Sequence, residues 1–196
     1  MSTSASLLTR LRHAGDKPAW DRFVDLYAPL LARWAGQLTA DASAADDLVQ
    51  DVFLALLRKL PGFRYDPAES FRGWLRTLLL NRWRDRLRDA DRRVKHEAAA
   101  ARERPGETEP ADFLSEAEYR RGLVARALEL VRDEFRPATW AAFTGHGVEG
   151  RPAAEVGAEV GLTANAVYQA TFRVLRRVRL ELDGLIDLPP PQLPGA

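Results

Sequence analysis

A chain of 196 residues is long enough for one large domain or two small ones, and its 46% hydrophobic content supplies enough apolar side chains for a core. Without cysteine, disulfide frameworks and thiolate metal sites are excluded. The net charge of +1 by itself names no partner.

The opening stretch, MSTSASLLTRLRHAGD, lacks the apolar segment of a secretory signal, and no later apolar run is long enough to span a bilayer, so a soluble, cytoplasmic protein without a membrane partner is expected. Trp20, Phe23, Val24, Tyr27, Leu30, Leu31, Trp34 and Leu38 recur at spacings of three and four, which predicts an amphipathic helix with Pro29 as a candidate kink. Leu48, Val49, Val52, Phe53, Leu56, Leu57 and Leu60 form a second stripe that ends at Pro61-Gly62, and the acidic residues Asp41, Asp46, Asp47 and Asp51 run through the same stretch with no Lys or Arg among them. Phe71, Trp74, Leu75, Leu78 and Leu79 start a third helix. It continues into a basic zone where Arg72, Arg76, Arg82, Arg84, Arg86, Arg88, Arg92, Arg93 and Lys95 face only Asp85, Asp89 and Asp91.

The periodicity fails between Arg92 and Glu116. KHEAAAARERPGETEPADF carries Pro105-Gly106 and Pro110 as breakers, and from Glu103 to Glu118 six carboxylates face Arg104 alone, so residues 93–117 are expected to form a flexible acidic linker. The alanine run can extend the preceding helix before Pro105. Helical spacing resumes at Tyr119 with Leu123, Val124, Ala127, Leu128, Val131 and Phe135. No segment alternates with period two long enough to argue a strand. The expected fold is all-α: two small helical domains, residues 1–92 and 118–186, followed by a disordered proline-rich tail, 187–196. The two basic zones, the second being Arg173, Arg176, Arg177 and Arg179, lie on either side of the acidic stretch and point to two contacts with a polyanion.

Within the second domain, Pro152 suits the first turn of a helix whose narrow buried side is Ala153, Val156, Gly157 and Val160. Gly161 can take the left-handed conformation that stops it, and Thr163 can cap the next helix by accepting a backbone N–H. Val167, Ala170, Thr171, Val174 and Val178 then share one face, and the small Gly157 and Ala170 predict a close crossing of the two helices. Short helix, glycine turn and second helix make the pattern of a helix-turn-helix, or of a plain helical hairpin. Asn165, Tyr168, Gln169, Phe172, Arg173 and Arg176 face outward. Asn and Gln can hydrogen-bond adenine edges, and Arg can take guanine or phosphate. Gly145-His146-Gly147-Val148-Glu149-Gly150 spells G-x-G-x-x-G, but a helix rather than a strand is expected before it, so its glycines are read as helix caps and turns and not as a dinucleotide site. His13, His96 and His146 have no ligand spacing, and no nucleophile–base pair stands out. Neither a metal, a cofactor nor an enzymatic activity is expected.

AADDLVQDVFLALLRKL (44–60), FRGWLRTLLLNRWRDRLRD (71–89) and the two-helix pattern at 152–178 occur in that order. Together they resemble the extracytoplasmic-function (ECF) sigma factors of bacterial RNA polymerase, members of the sigma-70 family, over roughly residues 16 to 183. The resemblance implies sigma domain two and sigma domain four on a flexible linker. It also implies promoter recognition and promoter opening without catalysis. The partners implied are the polymerase core, through the β′ coiled coil and the β subunit, and promoter DNA; the family also admits an anti-sigma factor. Asp47, Gln50, Asp51 and Leu54, opposite the apolar stripe, fall where the family docks on the β′ coiled coil. Thr77, Asn81, Arg84 and Arg88, spaced four, three and four, form a polar-to-basic stripe. By resemblance this helix and the preceding Phe63, Arg64 and Tyr65 read the minus-ten element and hold an unstacked base, and the linker passes near the active-site and RNA-exit channels.

Thr163, Asn165, Tyr168, Gln169, Arg173 and Arg176 are the expected minus-thirty-five contacts. Tyr168 and Ala170 depart from the Lys or Arg common there, which leaves more of that contact to Asn165, Gln169 and Arg173. Two other functions fit parts of the sequence. One is a dimeric helix-turn-helix regulator, against which the acidic docking helix and the basic stripe argue. The other is a helical adaptor without nucleic acid, against which the paired basic zones argue.

Overall fold

The helices beginning at Lys17, Ala42, Glu116 and Ala164 all start where the sequence supplies a side-chain cap. A computed structural model describes residues 7–13, 15–62, 71–97, 115–186 and 188, and among them every regular element is a helix. The predicted loop residues Phe63, Arg64 and Tyr65, most of the acidic linker and nearly all of the tail lie outside the described residues. The long elements are α1 (Leu7–Leu11), α2 (Lys17–Leu38), α3 (Ala42–Lys59), α4 (Phe71–Glu97), α5 (Glu116–Val131), α6 (Pro137–Phe143), α7 (Ala153–Val160) and α8 (Ala164–Glu181). The chain divides into two compact units, one formed by Leu8–Tyr119 and one built from Arg120 onward.

Asp16 caps α2 by accepting the Ala19 N–H at 3.1 Å, and its carboxylate is also gripped by the Arg10 guanidinium through two 2.8 Å bonds. The arginine holds that carboxyl below its usual range. Asp41 caps α3 through the Ala44 N–H at 2.8 Å, and Arg58 and Lys59 sit in its last turn, where cations favour the helix dipole. Pro29 lies inside α2 and does not end it. Helix α5 begins at Glu116, ahead of the hydrophobic spacing that starts at Tyr119. The cause is a capping box: Ser115 Oγ accepts the Glu118 N–H, and Glu118 accepts the Ser115 N–H, each at 3.2 Å.

The core of the first unit is aromatic. Phe23 stacks on Tyr27 with ring centroids 4.4 Å apart, and Phe71 from α4 meets Phe23 edge-on at 6.1 Å and Tyr27 at 5.8 Å. Leu48, Val52 and Leu56 of α3 and Leu75 and Leu79 of α4 are fully buried, and α3 packs on both α2 and α4. Tyr119, in the first turn of α5, belongs to this core. Its hydroxyl shares a 2.8 Å hydrogen bond with that of Tyr27, its ring lies 6.2 Å from Trp34, and the Arg72 guanidinium stands 5.9 Å above it. Burial pushes both phenols well above their ordinary pKa, so the pair is neutral.

In the second unit α6, α7 and α8 pack on one another around Ala142, Ala153, Val156, Val167 and Ala170, with Val160, Leu162, Ala164 and Tyr168 at the rim. Val174, Val178 and Leu182 extend the buried line towards the end of α8. These side chains are small, so the helices approach closely, and Asn165, Gln169, Arg173 and Arg176 are left on the outward face of α8, with Leu175 and Leu180 exposed towards its end.

Candidate nucleic-acid and docking surfaces

The geometry of the second unit turns on two glycines. Gly161, at φ 72° and ψ 31°, takes the left-handed conformation that ends α7, and the Gly161 and Leu162 N–H groups both donate to the Gly157 carbonyl. Gly157 is small for the same turn: a Cβ there would lie 2.5 Å from the Leu162 carbonyl oxygen. The sequence pattern predicted that Gly157 eases the crossing of α7 and α8, whereas the close neighbour is the turn's own backbone. Thr163 then caps α8 by accepting the Ala166 N–H at 3.2 Å, so its hydroxyl is already engaged.

From this cap, Asn165, Gln169, Arg173 and Arg176 follow at spacings of four, four and three along one exposed face of α8. Neither Arg173 nor Arg176 makes an ion pair among the described residues, whereas Arg177 is committed to Glu134 at 2.6 Å and to Glu181 at 2.6 Å. Tyr168 and Phe172 are half-buried. The Tyr168 ring meets His146 edge-on, centroids 5.1 Å apart, and His146 Nδ1 lies 2.7 Å from the Arg151 carbonyl, which requires the proton on Nδ1. Arg151 in turn bridges Glu155 and Glu159 of α7, and it holds the Glu159 carboxyl below its ordinary range.

The G-x-G-x-x-G stretch is explained by packing. Residues Thr144–Val148 form one π-helical turn. An added Cβ at Gly145 would touch Val156 at 3.0 Å, and one at Gly147 would touch Phe143 and Thr171 at 3.0 Å, so both glycines let this turn lie against its neighbours. Gly150 has φ 70° and turns the chain towards α7. A helix precedes the stretch, as expected from the sequence, and the phosphate-binding geometry of a strand–turn–helix is not built here.

In the first unit, α4 exposes Thr77, Asn81 and Arg88, with Arg84 half-buried between them. Asn81 Oδ1 accepts from Arg84 at 3.5 Å, and the Thr77 hydroxyl donates to the Gly73 carbonyl at 3.0 Å. Arginines of α4 are partly paired along the helix: Arg88 of the stripe and Arg82 beside it with Asp85 at 3.4 and 3.5 Å, and Arg92 with Asp89 at 3.1 Å. Trp74 is half-buried and leans on Phe71, ring centroids 5.5 Å apart.

On α3, Gln50 is exposed and Leu54 is 52% exposed, while Asp47 and Asp51 are engaged. Arg86 reaches across from α4 and donates through one nitrogen to Asp51 at 2.6 Å and through the other to Asp47 at 3.1 Å. These bonds raise the guanidinium pKa further, the bond to Asp51 most. Sequence reasoning missed both Arg86 and Leu57. Periodicity puts Leu57 in the buried stripe, but it is 45% exposed and lies one turn after Leu54. Its spacing of three from Leu54 was the available signal. Arg86 had none, because its partners lie 35 and 39 residues away.

The chain, whose described regular elements are all helical and whose first unit pairs an acid-faced helix with a long arginine-bearing one, matches the family model for Sigma-70 region 2 over residues 23–93. The RNA polymerase sigma factor CarQ of Myxococcus xanthus is 32% identical over 176 residues, spanning 87% of this chain and 94% of that protein. The ECF RNA polymerase sigma factor SigD of Mycobacterium tuberculosis is 30% identical over 175 residues, spanning 86% of this chain and 79% of that protein. A solved chain described as the sigma factor RpoE in complex with the anti-sigma factor NepR from Bartonella quintana covers 84% of this chain at 20% identity, with a TM-score of 0.35, too low to carry an argument about arrangement. The chain belongs to the ECF sigma factors of the sigma-70 family. It directs RNA polymerase to promoters at transcription initiation, is not itself an enzyme, and has the polymerase core and promoter DNA as its partners. No helix among the described residues is long and apolar enough to cross a membrane.

Proposed function

We propose that the three exposed faces divide the work of initiation. Asp47, Gln50, Asp51 and Leu54 of α3, with Leu57 beside them, dock on the β′ coiled coil. Thr77, Asn81, Arg84 and Arg88 of α4, with Phe63, Arg64 and Tyr65 before them, read the minus-ten element and hold a base that has left the stack, which costs a few kcal/mol. Helices α7 and α8 act as a helix-turn-helix at the minus-thirty-five element, where the second helix lies in the major groove. Residues 1–92 act as sigma domain two and 118–186 as sigma domain four. The acidic residues 93–117 are the connector near the active-site and RNA-exit channels, and the second domain also contacts the β subunit. The place of work is the cytoplasm, where promoter DNA is.

The observation that carries this reading is the outward face of α8. Two amides and two arginines without ion-pair partners among the described residues line one side of a helix whose other side is buried. Amides read adenine, and arginines take guanine or phosphate. The test separates the two DNA contacts in holoenzyme reconstituted from the full chain and core polymerase. Gln169→Ala is expected to relax base preference upstream by about 1–3 kcal/mol, read by footprinting on promoter variants. Asn81→Ala is expected to keep the upstream footprint and slow opening, read by permanganate reactivity of unpaired thymines. Normal melting by Asn81→Ala together with an unchanged footprint for Gln169→Ala would overturn the assignment.

A further inference from the structure

Asp47 and Asp51, the carboxylates proposed to meet the polymerase, already hold a cation. Arg86 spans them, one nitrogen to each, across the seam between α3 and α4. We infer that Arg86 is an internal stand-in for a cationic side chain of the polymerase, and that docking proceeds by exchange: the incoming arginine or lysine takes Asp47 and Asp51 from Arg86. This rests on the docking reading of α3 and adds to it a residue of α4 that sets the affinity and salt dependence of holoenzyme assembly.

Four observations support exchange over a fixed brace. First, the pair is open to water. Arg86, Asp51 and Asp47 retain 37%, 41% and 57% of their side-chain exposure, so the ion pair is screened and weak. Second, the seam does not depend on it, because Val52, Leu56, Leu75 and Leu79 are fully buried beneath. Third, the seam has room. A groove of about 800 Å³ bounded by Leu38, Ala44, Trp83 and Leu87, and a smaller hollow of about 280 Å³ bounded by Leu54, Arg58 and Asp85, both share Asp51, Arg86 and Asp89 as walls. An entering side chain can therefore reach Asp51 through the hollows without parting the helices, and Asp47 directly from solvent. Fourth, Arg86 has somewhere to go: Asp89, one turn further along α4, lines both hollows, and its exposed carboxylate, which already accepts from Arg92 at 3.1 Å, can be shared with a second guanidinium.

The electrostatic consequence is direct. Two carboxylates and one guanidinium leave a single net negative charge on the docking face, where the carboxylates alone present two. Arg86 therefore weakens the steering of a cationic partner and competes with it at contact.

The test measures the dissociation constant of the full chain for core polymerase across a salt series. Arg86→Ala is expected to bind about two- to fivefold tighter at low salt, with a steeper loss of affinity as salt rises. Arg86→Lys, which keeps the charge but loses the two-pronged geometry, is expected to fall between it and the parent chain. Circular dichroism checks that each variant is folded, and Arg86→Gln takes the place of the alanine variant if the latter melts. Asp51→Arg, expected to weaken binding about tenfold or more, tests the docking reading separately. If Asp51→Arg leaves affinity unchanged, the docking reading falls and this inference with it. If Asp51→Arg weakens binding but Arg86→Ala weakens it as well, or leaves it unchanged, docking on α3 stands and the exchange is overturned, because Arg86 then either props the carboxylates or takes no part.

Discussion

On the α3–α4 seam of the first unit, Asp47 and Asp51 share Arg86, Asp85 takes Arg82 and Arg88, and Asp89 takes Arg92. On α8 of the second unit, Asn165, Gln169, Arg173 and Arg176 stand without such partners among the described residues, and the unit's ion pairs, Arg151 with Glu155 and Glu159 and Arg177 with Glu134 and Glu181, use other residues. A face that neutralises itself has to exchange partners before it can bind, so its affinity is small and salt-sensitive until a competitor supplies equivalent contacts. A face with uncommitted cations gains by releasing counterions alone. Both faces belong to one small chain of net charge +1.

The largest expected effect breaks the second face. Gly157→Ala drives a methyl into the Leu162 carbonyl, a backbone atom that cannot swing aside. A stability loss of about 2–4 kcal/mol is expected, read from the urea midpoint, together with loss of the upstream footprint. A variant of parental stability would mean that the turn relaxes freely and does not fix the face.

Next comes the core beneath the first face. Tyr119→Phe leaves the buried Tyr27 hydroxyl without its partner, at a cost of about 1–3 kcal/mol, and the double variant Tyr27→Phe, Tyr119→Phe is expected to recover much of it. The same pair contributes to the loss of stability at alkaline pH. Both phenols titrate higher in the folded chain than the value of about 10 they have when unfolded. Their contribution is therefore fully present below about pH 10 and is lost as pH rises beyond it, because the unfolded chain ionises first. The urea midpoint should fall above about pH 10, and less steeply in the double variant.

The smallest effect sharpens the comparison of the two faces. Arg173→Ala should lower the magnitude of the salt slope of holoenzyme–promoter binding by about one. Arg88→Ala should lower it by less, since Arg88 must leave Asp85 to reach a phosphate. Equal changes would show that the intrahelical pairs of α4 do not matter to binding.

Much of the fold was legible in the sequence because it is local. Stripes with spacings of three and four reveal α2, α3, α4 and α8, and Asp41, Thr163 and Gly161 end or start helices through bonds to neighbours within a few residues. The chemical character of the α8 face follows from which residues its buried stripe leaves over, and the family follows from the order of three motifs. The structure decided what depends on contacts far apart in the chain. Arg86 looks like any arginine of a basic run until α4 is laid beside α3. Leu57 fits the buried stripe by its spacing, yet the packed unit leaves it 45% exposed. Tyr119 opens a new periodicity by sequence yet finishes the aromatic core around Tyr27, 92 residues earlier. Periodicity says which side of a helix is apolar, because backbone geometry sets that angle. Which polar group meets which is set by how the helices pack, and that is a property of the assembled core.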